Sequence, residues 1–309
     1  MLEEIKHQFT LHVKSLQEDI IEKMQSLDAD VKLIRDEWVK DDFMGAPGGG
    51  GLTCALSGNL FENAGVNTSL VYGQMNPEYA AHMSKRAGTQ ASSDLSHMWA
   101  TGISLIIHPL SPRIPTVHAN FRMLEVGGRV WFGGGADLTP FYPYEEDFHY
   151  FHSVWQKALA ASNQYVAMKK QCDEYFVNLH RQREMRGVGG IFFDYLNTGD
   201  LKADAEFVKN LSHHFISSYF PIVEKRREEK WNPMDEDFQL HRRGRYVEFN
   251  LLHDRGTQFG LKTQGRTDSI LISLPARCKF GYKYSPPPLS PQAKMMSYYY
   301  PQDWANWSR

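Results

Sequence analysis

Cysteine is scarce in this 309-residue chain: Cys54, Cys172 and Cys278 are far apart and odd in number. They form neither a disulfide framework nor a zinc spacing, and no C-x3-C-x2-C run that could hold an iron–sulfur cluster occurs. A reducing compartment is expected. Long apolar runs are missing too, so no transmembrane segment is expected. The opening residues Met1-Leu2-Glu3-Glu4 are acidic, without the apolar stretch of a secretory signal or the arginine richness of a transit peptide, and a cytoplasmic protein is expected. There is no excess charge of one sign. Lys and Arg number 34 against 36 Asp and Glu, which leaves no electrostatic footprint for nucleic acid. The glycine runs do not read GxGxxG and no GK[ST] follows them, so nucleotide binding finds little support.

What is present is an ordinary globular composition, 42% apolar and 23% charged, with 13% aromatic residues that suit cores and pockets alike. Residues 3–27 place Ile5, Phe9, Val13, Leu16, Ile20, Met24 and Leu27 at helical spacing, which predicts an amphipathic N-terminal helix within residues 1–36. The glycine-rich run over 45–51 is expected to break regular structure. Short strands and turns follow to about residue 133, then helices over 145–186 and 202–230, then strands over 245–252 and 269–274. Strands and helices segregated in this way predict an α+β single domain over residues 1–309. The alternating charges of residues 224–230 read as a solvated helix face. The tail after Pro286-Pro287-Pro288 is rich in Tyr and Trp and must pack on something.

Several segments could carry chemistry. Over residues 99–108 a strand would put Thr101, Ile103, Leu105 and Ile107 on one face, with Gly102, Ser104, Ile106 and His108 on the other. The first face reads as core, and the second either leaves room for a ligand or is an ordinary solvent-facing surface. A proline-punctuated loop then delivers His118-Ala119-Asn120-Phe121-Arg122, where Asn120, Arg122 and Leu124 share a face opposite Phe121 and Met123. An arginine fork beside an amide suits a carboxylate. Gly127-Gly128 reads as a hairpin turn. The glycines 133–135 are expected to follow a strand and to form a hinge carrying Asp137, as a base or as a turn residue. His149 and His152 are one helical turn apart, and His180 is read as a third helical histidine. Such spacing without flanking ligands is a weak metal signal. Gly189-Gly190-Ile191-Phe192-Phe193-Asp194-Tyr195 reads as a glycine stop into a short strand. The basic tract 241–245 reads as surface charge or as contact with an anion.

Together these segments resemble the oxygen-dependent coproporphyrinogen III oxidase family. The resemblance is carried by Trp131-Phe132-Gly133-Gly134-Gly135-Ala136-Asp137-Leu138-Thr139-Pro140 with Glu145-Glu146-Asp147, by Val117-His118-Ala119-Asn120-Phe121-Arg122, by Gly190-Ile191-Phe192-Phe193-Asp194, and by Gly244-Arg245-Tyr246-Val247-Glu248-Phe249-Asn250-Leu251. The segments occur in order over residues 37–284. The resemblance implies a large antiparallel sheet sandwiched between helices, a homodimer, and a deep cleft as active site. It implies conversion of coproporphyrinogen III to protoporphyrinogen IX in haem and porphyrin biosynthesis. Two propionates become vinyls, with O2 as co-substrate, CO2 released and no organic cofactor. Ser104, Asn120, Phe121, Arg122, Gln264, Gly265 and Arg266 match the family's substrate site, and His118 its proposed proton donor. Asp137 matches an Asp proposed to face the pyrrole N–H groups, and residues 246–281 a segment implicated in dimerisation. His108, His118, His152 and His180 match a divalent-metal set described for bacterial members, although a metal is not expected to be required. Gln264 stands where some relatives have Gly, and Tyr195 where many have a second Asp.

The implied substrate is an apolar macrocycle ringed by carboxylates, and Arg122 and Arg266 suit those groups. Asp137 is expected to bridge pyrrole N–H groups and to help one lose its proton, raising the ring's electron density. An iron dioxygenase would instead need a His-x-Asp/Glu pair on a strand, and none is seen near His108 or His118. A tetrapyrrole carrier without catalysis would explain the arginines and glycines equally well, and release of CO2 separates it from an oxidase.

Overall fold

The computed structural model describes residues 1–77, 80, 97–262 and 265–307. Helix α1 (Leu2–Leu27) lays Phe9, Val13, Leu16, Ile20 and Met24 into the core, as its spacing predicts. Then come the strands β1 (Lys32–Asp41), β2 (Pro47–Ser57), β3 (Phe61–Gln74), β4 (His97–Pro109), β5 (Thr116–Val126) and β6 (Arg129–Thr139). Helices α2 (Glu145–Ala158) and α3 (Tyr165–Tyr175) precede the hairpin β7 (Val177–Asn178) and β8 (Glu184–Met185), and β9 (Gly189–Leu196) completes the strands. Helices α4 (Leu201–Arg226), α5 (Pro233–Leu252), α6 (Arg255–Lys262), α7 (Thr267–Leu271) and α8 (Pro291–Met296) follow. The main sheet has seven strands in the order β1-β2-β3-β4-β5-β6-β9, and all its ladders are antiparallel. Segregation of strands from helices gives the α+β class expected from the sequence.

One face of the sheet is dry. Cys54, Val66, Ile103, Leu105, Ala119, Phe121, Ala136 and Ile191 pack there with α1, α2 and α4 in a single cluster. Gln17 of α1 crosses that core with both ends satisfied, donating to the carbonyls of Leu52 and Val66 at 3.1 and 2.7 Å and accepting from Thr68 at 3.0 Å. The tail packs into the same cluster through Met295, Tyr299 and Trp304, as its aromatic content required.

Several expectations are corrected. The glycines 48–51 do not break structure but form the first half of β2. Main chain and the Trp38 ring stand where their side chains would be: a Cβ on Gly51 would lie 2.4 Å from the Thr68 carbonyl oxygen and 2.5 Å from Trp38. Glycines 133–135 likewise lie inside β6, so Asp137 is a strand residue rather than a hinge residue. The strand expected over 245–252 is part of helix α5, and that expected over 269–274 is the end of helix α7 and the turn after it. Asn232 and Asp235 close a reciprocal cap with Pro233 in the first turn, and this start signal outweighs the strand-like alternation of Tyr246-Val247-Glu248-Phe249. Helix does not extend to residue 186 either. Gln182 and Arg183 take positive φ angles of 53° and 63° in the β7–β8 turn, so His180 is not helical. The basic tract 241–245 is mostly buried rather than on the surface, with Arg242 paired to Glu184 at 2.6 Å and Arg243 paired to Glu62. Arg226, read as part of a solvated face, is buried and donates from Nε to Asp147 at 2.7 Å.

Candidate active site

Residues paired across an antiparallel ladder present their side chains on the same face. On the face opposite the dry core, one row runs Asp36, Thr53, Asn67, Ser104, Asn120 and Gly135 from β1 to β6. The row on one side of it is Trp38, Gly51, Ser69, Gly102, Arg122 and Gly133, and the row on the other is Ile34, Ala55, Gly65, Ile106, His118 and Asp137. The sheet thus gathers Ser104, His118, Asn120, Arg122 and Asp137 on adjacent rows, and glycines keep the floor between them low. At about 4.8 Å per strand, the floor from Asp36 to Asn120 is about 19 Å wide.

Two sets of residues rise above this floor. Over β1–β3, Ser269 of α7 shares a hydrogen bond with the Thr53 hydroxyl at 2.8 Å and accepts from Asn67 at 3.2 Å through its carbonyl. Ile272 stands over Gly65, where a Cβ would lie 2.9 Å from its side chain. Arg266 caps α7 and pairs with Asp36, and the Gly265 amide donates to the Gly260 carbonyl at 2.8 Å. Over the β6–β9 end stand Phe176, Phe192 and Phe249. Ser104 remains exposed, and Arg122 and His118 keep 32% and 19% of their side-chain surface. These are the groups a ligand on the floor could reach.

Asp137 is buried and fully engaged. Its Oδ1 accepts from His118 Nδ1 at 2.9 Å and from Arg186 Nη2 at 2.8 Å, and its Oδ2 accepts from Arg186 Nε at 2.9 Å. Burial alone would raise its pKa, but the guanidinium of Arg186 and the hydrogen bond from His118 hold it below the ordinary carboxylate value. Arg186 donates onward to Asn250 Oδ1 at 2.9 Å and lies over the rings of Phe176 and Tyr246 at 4.1 and 4.6 Å. An ionised carboxylate only accepts, so in this bond His118 donates a proton from Nδ1.

The sequence-derived candidates divide. Ser104, His118, Asn120, Arg122 and Asp137 come together; Gly265 and Arg266 lie at the far end of the floor, beside Asp36. The side chain of Phe121 is not at the site. It is buried on the dry face, and only its backbone carbonyl reaches the floor, 2.8 Å from where a Cβ on Gly102 would be. Gln264 lies outside the described residues.

The four histidines matched to a metal set do not gather. His108 bonds to Thr116 and the Ser273 carbonyl, His152 to Tyr165 and the Val188 carbonyl, and His118 to Asp137. His180 bonds to Glu248 and His253. Among the described residues no group of three or more His, Cys, Asp or Glu side chains could hold a metal ion, so these residues do not fit the implied metal. Sequence reasoning missed Arg186, whose only local signal is its place beside Gly187 ahead of β9. Asp194 stands in a family-like motif with no role implied by the sequence, yet it pairs with Arg122 at 3.1 Å.

A family model described as coproporphyrinogen III oxidase matches residues 8–304 of the chain. No helix among the described residues is long and apolar enough to cross a membrane.

Proposed function

The chain belongs to the coproporphyrinogen III oxidase family, and we propose that molecular oxygen is the oxidant in its reaction. The family activity is oxidative decarboxylation of coproporphyrinogen III in haem biosynthesis, and the chain is an oxidoreductase of that kind. Each of the two reacting propionate arms loses CO2, a proton and two electrons to become a vinyl group. Two such steps deliver four electrons, which is what one O2 accepts on reduction to two waters. The reduced macrocycle supplies the electrons, so the protein's part is to bind, orient and move protons.

The observation that carries the site assignment is the meeting of Arg122, Asn120 and the His118–Asp137 pair on one glycine-floored face. Arg122, steadied by Asn120 through a 2.7 Å hydrogen bond, receives a propionate carboxylate. His118 exchanges a proton through Nε2 at the reacting arm or pyrrole. Asp137 has both oxygens engaged, so we assign it to holding His118 in the Nδ1-protonated form rather than to acting as the base itself. Arg266 lies across the floor from Arg122 and suits a carboxylate on another side of the macrocycle. We further propose that the enzyme needs no organic cofactor or metal. We also propose a homodimer through residues 246–281, a segment in which Leu251, Leu252, Leu261 and Phe280 are exposed.

Incubation of the purified protein with coproporphyrinogen III under air and under argon tests the reading. Protoporphyrinogen IX and CO2 are expected only under air. Equal product under rigorous anaerobiosis overturns the oxygen assignment.

A further inference from the structure

The arginine assigned to the substrate's carboxylate already faces one from the protein. Arg122 Nη2 lies 3.1 Å from Asp194 Oδ1. Asp194 reaches that position through a break in the β6–β9 ladder. Gly134 pairs with Phe193 and Phe132 with Leu196, so Asp194 and Tyr195 together stand opposite Gly133. An extra residue of this kind bends its strand and re-aims a side chain. Tyr195 takes a φ of 60°, uncommon for a bulky residue, and its ring stacks on Trp131 with centroids 5.7 Å apart.

The ion pair has a shaped seat. A Cβ on Gly133 would lie 2.8 Å from Asp194 Oδ1 and 2.9 Å from Arg122 Nη2, and a Cβ on Gly102 would lie 2.9 Å from the Arg122 Cβ. Glycine on each neighbouring strand therefore lets the guanidinium lie low and the Asp194 carboxylate come beside it. Asp194 keeps only 12% of its side-chain surface against 32% for Arg122, so the guanidinium is the more open partner.

Charge then sets a condition. A propionate and Asp194 on the same guanidinium would put two negative charges against one positive charge, and with Asp194 only 12% exposed their repulsion is weakly screened. We propose that Asp194 is an exchangeable stand-in for the substrate carboxylate: it holds Arg122 before substrate binds, yields it to an incoming propionate, and takes it back when the ligand leaves. This rests on the reading of Arg122 as the propionate receptor. It makes the pair a selectivity device, because only a ligand that brings its own carboxylate can compensate Arg122 for the loss of Asp194.

Fluorescence titration of the full chain with coproporphyrin III, the oxidised and unreactive tetracarboxylate, tests the exchange. Asp194→Asn keeps the size and removes the competing charge, and is expected to bind the probe about three- to tenfold more tightly. The gain should vanish in an Arg122→Gln background and should not appear with the tetramethyl ester of the same porphyrin. Unchanged or weaker binding by Asp194→Asn overturns the exchange, as does a gain that persists without Arg122. Asp194→Ser, which removes the charge with a smaller side chain, serves the same comparison if a melting curve shows that the Asn variant does not fold. Wild-type affinity in Arg122→Gln alone instead sinks the reading of Arg122 on which the proposal rests.

Discussion

Phe121 and Arg122 are consecutive residues of β5, and they belong to different environments. Phe121 is 1% exposed among the side chains of the dry core, while Arg122 lies on the polar floor with its guanidinium partly open. The same division runs through β4, where Ile103 and Leu105 are buried on one side and Gly102 and Ser104 lie on the other. One face is specified by volume and apolarity, the other by small residues and a few placed charges. Stability and chemistry are thus separated by the two-residue period of the strand, and substitutions on the two faces should have separable effects.

The largest effect is expected on the polar face. His118→Gln should lower turnover by about 10²–10⁴, the usual contribution of a positioned acid or base, while the melting temperature changes little. Stopped or steady-state product assays beside a thermal melt check this. A nearly active variant would leave no proton-transfer role for His118.

The neighbouring pair in β5 sharpens the contrast. Phe121→Ala should cost about 3–5 kcal/mol of stability through a core cavity, read from denaturant titration. Arg122→Ala should leave the fold nearly intact and weaken substrate binding by about 2–5 kcal/mol, read from KM or from probe titration. If Arg122→Ala destabilises as strongly as Phe121→Ala, the separation of the faces is wrong.

Smaller effects come from buried histidines, one associated with each face. His152 of α2 and His108 of β4 both have pKa values lowered to about 3, mainly because burial disfavours the imidazolium. In the unfolded chain each titrates near 6.5, so below that pH the unfolded state binds protons that the folded state refuses. Stability is therefore fully present above about pH 6.5 and falls as pH drops toward 3, by up to about 1.4 kcal/mol per pH unit for each histidine. A series of melting temperatures from pH 7 to pH 4 should fall less steeply for His152→Gln than for the parent. Parallel slopes would mean that His152 is protonated in the fold.

The smallest expected effect is none. Exhaustive chelation should leave turnover unchanged, since His108, His118, His152 and His180 each bond to separate partners. Activity lost on chelation and restored by a divalent ion would overturn this.

The amino-acid sequence by itself determined the features that depend on local period and on long ordered motifs. Alternation over 101–107 and 119–124 sorts side chains between two faces because strand geometry requires it, and the spacing over 3–27 makes an amphipathic helix for the same kind of reason. The ordered blocks between Val117 and Leu251 together pointed to the family. The capping pattern Asn232-Pro233-x-Asp235 is also legible in the sequence, and it is a helix-start signal that opposes the strand expected over 245–252. Tertiary structure alone decided which charges meet. Arg186 reaches Asp137 from 49 residues away because the β7–β8 hairpin brings it there, and Asp194 reaches Arg122 because the β9 ladder slips by one residue opposite Gly133. Such pairings are set by register and chain path over long separations, and no local pattern of residues encodes them.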